Sequence, residues 1–490
     1  MIACRAAMFF MPAVGQDLFL ASRSPEPSVE WWLSDQAGSS KLTPKSPLLW
    51  AAARAQSDDT AEIMVDTSRQ YQKIYGIGTS LEASTAYNLQ FLDPATQQRL
   101  MRDLFDPDEG IGFNLGRITI ATSDFTPPPF YSYDDLDDPK ATDENMEHFS
   151  VERDEAFVLP AIRGAIAASV NSGAPAGDGL RLFASPWSAP GWMKDSGRLE
   201  SGKLLPKHRE SYARYLLRFL DAYEKKGVHV DAMTIQNEPM QENKQYPTMG
   251  LPAVDEGEVI LAMHRLFATE NTVLDRLPAV WVLDHNYVFT GYIGTLLANE
   301  TYAKYVDGSA FHHYEGQPLA MTLIQRQFPD KSVYFTEGST FRAWGARHII
   351  EILRNWARSY TVWVTMLDTE KGPNAGPFRA GTTMMVYDSA RKTVSHSFEY
   401  FMYGQFSKFI RRGAIRVDTI GTNLAPAISH IAFVNGPQAG GMGNAETTIA
   451  VVANTGPLPQ NVRLRCGAMV STIARMPAYS VATFRFRSSC

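Results

Sequence analysis

Eight short apolar runs, each closing on polar or aromatic residues, recur through the middle of the chain and constrain its fold more than any other feature. They are YGIGTS from Tyr75, NLGRITIATSDF from Asn114, RLFASPWSAP from Arg181, DAMTIQNEP from Asp231, AVWVLDHN from Ala279, GSAFHHYEG from Gly308, SVYFTEGS from Ser332 and SYTVWVTMLD from Ser359. Runs that are apolar nearly throughout, and not strictly alternating, are buried on both faces, as in a parallel sheet covered by helices. Segments of helical period lie between them. In RESYARYLLRFLDAYEKKG, Tyr212, Leu216, Phe219 and Tyr223 fall on one stripe and Gly227 is placed to end the helix. Eight such units over about 320 residues predict an α/β fold, a (β/α)8 TIM barrel spanning residues 72–395. An open doubly wound sheet is the alternative, but no glycine-rich nucleotide turn follows the early strands.

The two ends of the chain follow a different rule. From residue 396 to 490, brief alternating runs (GAIRVDTI, HIAFVNG, TTIAVVANTG, NVRLRCG, YSVATFRF) are separated by Gly, Pro and Asn turn signals. They predict an all-β sandwich side domain. Residues 26–71, with VEWWLSD and AEIMVDTS, are expected to add strands to it.

Composition narrows the partners. A net charge of −6 on 490 residues supplies no basic face for nucleic acid and no acidic tail. No stretch approaches the roughly 18–20 apolar residues of a membrane span. The run at residues 1–16 is at best a poor export signal, so the compartment stays open. Cys4, Cys466 and Cys490 are too few and too scattered for a disulfide framework or a metal-bound sulfur site. The acid-rich YDDLDDPKATDEN from Tyr133 lacks the glycine and ligand spacing of a calcium loop and reads as solvated.

In a parallel barrel the C-terminal ends of the strands converge on one mouth, so polar residues there form a site. Two of those ends carry a carboxylate after an apolar run, Glu238 in TIQNEP and Glu337 in VYFTEGS. They fall on the fourth and seventh strands, whose ends face one another across a small barrel, and paired carboxylates there can bracket a glycosidic bond. One of the pair must donate a proton while the other stays ionised. Asn237 is placed to hold a sugar 2-hydroxyl, and Arg117 to pair with Glu337 and keep it charged. Trp187 and Trp363, at strand ends, are expected to stack on sugar faces. Asp284 and His285 stand at a strand end too, with helix capping as their alternative role. His312 and His313 are adjacent on a strand and point to opposite faces, so only one reaches the mouth. With no third ligand clustered in the sequence, neither a metal nor an organic cofactor is expected.

GRITIATSDF, ASPWSAPGWMK, TIQNEP, FHHYEG, YFTEGS and GPN, in this order, resemble glycoside hydrolase family 30, the acid glucosylceramidase-like β-glycosidases. The resemblance runs from about Tyr75 to the end of the chain. It implies a TIM barrel fused to a β-sandwich, and retaining hydrolysis of a β-linked sugar or glycolipid through a glycosyl-enzyme intermediate. It casts Glu238 as the acid/base, Glu337 as the nucleophile and Asn237 as the partner in NEP. Arg117, Asp124, Trp187, His312, Tyr314, Trp363 and Asn374 fall at glucose-binding and supporting positions, with Asp124 placed for glucose O4 and O6. An exo-acting β-glucosidase, with glucosylceramide as one substrate, is the activity implied. β-1,6-glucanase, β-xylosidase and β-fucosidase are the alternatives within the family, and a non-catalytic carbohydrate-binding barrel is the alternative outside it. The chain departs from the family pattern at TVWV, where Val362 and Val364 replace an Asp and an Asn, and at Glu82, which has no secure counterpart.

Overall fold

A computed structural model describes residues 28–487 apart from 54–59, 139, 171–178 and 438–445; the expected export-like run at residues 1–16 lies outside the described residues. All eight runs form parallel strands: β1 (Gly76–Ser80), β2 (Leu115–Ile120), β3 (Arg181–Pro186), β4 (Ala232–Thr234), β5 (Ala279–Asn286), β6 (Gly308–His312), β7 (Ser332–Glu337) and β8 (Ser359–Val362). They pair in sequence order, and β8 pairs with β1. The backbone bonds Arg358 N–H to Val333 O, at 2.8 Å, and Gly338 N–H to Thr361 O, at 3.2 Å, join β7 to β8 and close the barrel.

Period two along the strands layers the lumen. Leu115, Phe183, Ala232, Trp281, Ala310 and Tyr334 pack together as one buried cluster, with Trp281 and Tyr334 stacked at 3.8 Å. Two residues further along the same strands stand Arg117, Ser185, Thr234, His312 and Thr336. The floor is therefore apolar, and the polar residues gather at the C-terminal mouth. Small residues let the strands close tightly: a Cβ at Gly78 would sit 1.6 Å from the Leu115 carbonyl oxygen.

The helices cover the outside as their period requires. Arg209–Lys225 buries Tyr212, Leu216, Phe219 and Tyr223, and Gly227 ends it at φ 77°. Part of the acid-rich loop departs from the expected solvated state. Tyr133 and Asp134 are buried, because Tyr133 stacks parallel to Phe219 and Trp192 donates its indole N–H to Asp134.

Ser28–Asp35, Thr43–Ala52 and Ala61–Lys73 join the strands after residue 414 in a ten-stranded sheet. Met469–Ser471 at one edge also pairs with Gln460–Cys466 near the other, so the sheet closes on itself around Val29, Leu33, Ile63, Val452 and Phe484. The stretch expected to begin the sandwich opens instead on a helix, Phe398–Ser407, wedged between the two bodies. Its Gln405 side chain donates to Ser34 and accepts from Thr483. No helix among the described residues is long and apolar enough to cross a membrane.

Candidate active site

Above the floor layer, β2 places Arg117 with its side chain wholly buried. A buried guanidinium needs an acceptor at nearly every N–H. Arg117 donates to Asp284 at 2.9 Å, to Asn237 Oδ1 at 2.8 Å, to Ser185 at 3.3 Å and to Glu337 Oε2. The rings of Trp187 and Trp363, stacked on each other at 5.0 Å, lie over it. The predicted pairing of Arg117 with Glu337 is present, and a second partner, Asp284, accompanies it.

Asp284 is the hub. His312 Nε2–H donates to it at 2.9 Å, and the hydroxyls of Ser185, Thr234 and Thr336 lie 2.9, 2.7 and 2.6 Å from its oxygens. Burial alone would raise its pKa, but Arg117 and His312 hold its carboxyl far below the usual range. On an unbroken strand the inward position after Trp281 belongs to Leu283. A bulge between Leu283 and His285, with positive φ at Leu283 and Asp284, hands that position to Asp284. A second bulge, between Phe335 and Glu337 on β7, aims Glu337 at the mouth beside Thr336.

Glu337 is held at both oxygens, Oε2 by Arg117 and Oε1 by the Tyr314 hydroxyl at 2.7 Å. Tyr314 itself is 50% exposed, at the rim. Glu238 stands just past β4 with φ 50°, a conformation that costs a non-glycine residue of order 1 kcal/mol or more and marks many active sites. Its backbone N–H donates to the Asp284 carbonyl at 3.0 Å, and its Oε1 lies 3.0 Å from His312 Nδ1. Glu337 Oε2 lies 3.8 Å from the other nitrogen of the same ring. Burial disfavours a charge on His312, but Glu337 and Asp284 outweigh it and lift its pKa to about 10, so the ring is a cation at neutral pH. His313 turns the opposite way, to His348 at 3.2 Å, as adjacent strand residues must.

Asp124, Trp187, Asn237, Glu238, Tyr314, Glu337 and Trp363 line one cavity of about 530 Å³. Asp124 sits on its wall; burial, then the charges of Glu337 and Glu238, raise its pKa well above the usual carboxylate range. His312 and Arg117 lie directly beneath. Asn374 is the expected residue that does not reach the cavity. Its amide donates to Phe378 O and its oxygen accepts from Gly376 N–H at 2.8 Å, so it shapes its own loop. That loop is what arrives at the site: Gly376 N–H bonds the Asp124 carbonyl at 3.0 Å, and Gly376 packs so closely that a Cβ there would meet Asp124 Cβ at 2.8 Å. Phe125, Tyr246 and Phe341 also line the cavity and had no sequence signal beyond being aromatic. Val364 stands in the wall, and Glu82 caps the helix Ala83–Leu89 through Thr85 N–H.

Three donors with metal-ligand chemistry also meet here. Glu238, His285 and His312 each bring one atom to within 4.8 Å of the others. The expectation from the histidine doublet was against such a grouping; the second imidazole comes from β5, not from His313.

A parallel barrel with two acidic side chains over a buried Arg–Asp–His network, walled by aromatic rings, has the makings of a glycoside hydrolase. The comparisons agree. The model of the glycosyl hydrolase family 30 TIM-barrel domain matches residues 74–410. An endo-1,6-β-D-glucanase of Neurospora crassa is 30% identical over 409 residues, covering 80% of this chain and 82% of that protein. A putative glucosylceramidase 4 of Caenorhabditis elegans is 28% identical over 400 residues, covering 76% and 74%. The solved structure of the endo-β1,6-glucanase BT3312 shares the fold, with a TM-score of 0.78 at 23% identity over 94% of this chain and all of that one. The chain belongs to glycosyl hydrolase family 30, and it is a glycoside hydrolase with a glycosidic substrate.

Proposed function

We propose that the chain is a retaining exo-β-glycosidase of β-glucosides that works by double displacement, with Glu337 as nucleophile and Glu238 as acid/base. The observation that carries this reading is the unequal setting of the two side chains. Glu337 is fixed at both oxygens, by the buried Arg117 guanidinium and the Tyr314 phenol, and so is held in one aim. Glu238 is bonded through one oxygen to His312, and its side chain is 12% exposed on the same cavity.

In the first step Glu337 attacks the anomeric carbon while Glu238 gives its proton to the departing oxygen. In the second, Glu238 takes a proton from water, and that water displaces Glu337. Asn237 spends its amide oxygen on Arg117, which leaves its NH₂ for the sugar 2-hydroxyl. Asp124, with its raised pKa, can donate as well as accept toward O4 and O6. The loop seated on Asp124 through Gly376 goes on to line the cavity with residues 378–381, which supports an exo mode. Relatives named as glucosylceramidases and as endo-1,6-β-glucanases favour β-linked glucose, with glucosylceramide one natural form.

The endo-1,6-β-glucanase relatives support a second reading, cleavage within a β-1,6-glucan. Product analysis on an aryl β-glucoside, glucosylceramide in detergent and a β-1,6-glucan separates the two. An exo enzyme releases glucose alone, first as the β-anomer by NMR. Oligosaccharides among the first products favour the endo reading, and α-glucose as the first product contradicts retention.

A further inference from the structure

We infer that the barrel mouth carries a binding site for a borderline-soft divalent cation such as zinc, built from Glu238, His285 and His312, whose occupancy takes Glu238 away from the substrate. Glu238 Oε1 lies 3.0 Å from His312 Nδ1 and 3.6 Å from His285 Nδ1. Donors on a tetrahedral zinc, with bonds of about 2.0–2.2 Å, stand about 3.3–3.5 Å apart. Two of the three separations already lie near that spacing, and the two imidazole nitrogens are within 4.8 Å of each other.

Two independent features point to a ligand. His285 is 4% exposed, and its Nδ1, facing Glu238, has no hydrogen-bond partner, a state that buried polar atoms rarely keep. Asp284 also takes the Nε2–H of His312 at 2.9 Å, the arrangement by which a carboxylate fixes a ligating imidazole and turns its other nitrogen to the metal. On binding, the ion takes the place of the proton that His312 shares with Glu238, and the proton leaves to solvent.

The inhibitory half of the inference rests on Glu238 being the proton donor; the site itself does not. Calorimetric titration of chelator-treated protein with zinc sulfate reads the site whether or not a glycoside is turned over. The variants are His285→Phe, which keeps a ring against Phe289, His285→Gln, and His148→Ala, which removes the exposed histidine of a second grouping with Asp134 and Asp143. Thermal melts verify that each is folded. We expect zinc binding to weaken at least tenfold in both His285 variants and to persist in His148→Ala. We also expect zinc to suppress hydrolysis of an alkyl glucoside by the unsubstituted enzyme, reversibly with EDTA. Binding that is absent from the unsubstituted protein, that survives both His285 changes, or that disappears in His148→Ala overturns the site. Zinc bound through His285 with hydrolysis unchanged overturns the block and counts against the role of Glu238.

Discussion

Arg117 and Asp284 form an ion pair at 2.9 Å in which neither side chain has any solvent exposure. Four side chains of the mouth are tied to that pair: Arg117 reaches Glu337 and Asn237, and Asp284 reaches His312, which in turn reaches Glu238.

Removing one member of a buried pair strands the other. Asp284→Ala is therefore expected to destabilise the fold by about 3–5 kcal/mol, measured by chemical denaturation. Asp284→Asn, which keeps the shape, is expected to lower kcat/KM at least tenfold with a smaller stability loss. Retention of full activity by a folded Asp284→Asn would separate the network from catalysis.

Glu238→Ala is expected to discriminate between leaving groups. A general acid contributes about 10²–10⁴-fold where the departing oxygen needs a proton. Alkyl glucosides are expected to lose activity by that factor, while aryl glucosides with acidic phenols lose far less in the first step. Equal losses on the two substrates would show that Glu238 is not the proton donor.

Stability is expected to fall as pH rises, through a buried carboxyl outside the cavity lining. Glu256, on the helix Ala253–Thr269, is buried with its carboxyl bonded by Tyr292, and burial pushes its pKa up to about 8. The folded-state value lies above that of the unfolded chain, about 4.5, so its contribution is fully present below pH 4.5. It is lost as pH rises through 8, when the unfolded chain has already shed the proton. The swing is on the order of 5 kcal/mol. Glu256→Gln, which cannot ionise, is expected to flatten the decline in melting temperature between pH 5 and 8. Parallel declines in the two proteins would contradict it.

Much of this architecture was legible before any coordinates. The eight strands announced themselves because burial on both faces demands an apolar residue at nearly every position, a local signal. Glu238, Glu337 and Arg117 stood out as charges set against such runs. Asp284 was legible only as a strand-end residue with helix capping as its alternative, because period two assigns its inward place to Leu283, and nothing in AVWVLDHN reveals the bulge that reverses them. Asn374 entered through the family resemblance at GPN, whereas its amide is consumed by the turn it helps to build. His285 joined His312 only through the packing of β5 beside β6, a contact between residues 27 positions apart that no local spacing encodes.

The most direct test of the central claim is chemical trapping. A 2-deoxy-2-fluoro-β-glucoside with a good leaving group slows the second displacement and leaves the sugar on the nucleophile, and peptide mapping then finds it. One equivalent of label is expected, on Glu337, with time-dependent loss of activity. Label on Glu238 or Asp124, or turnover with no covalent adduct, would contradict it.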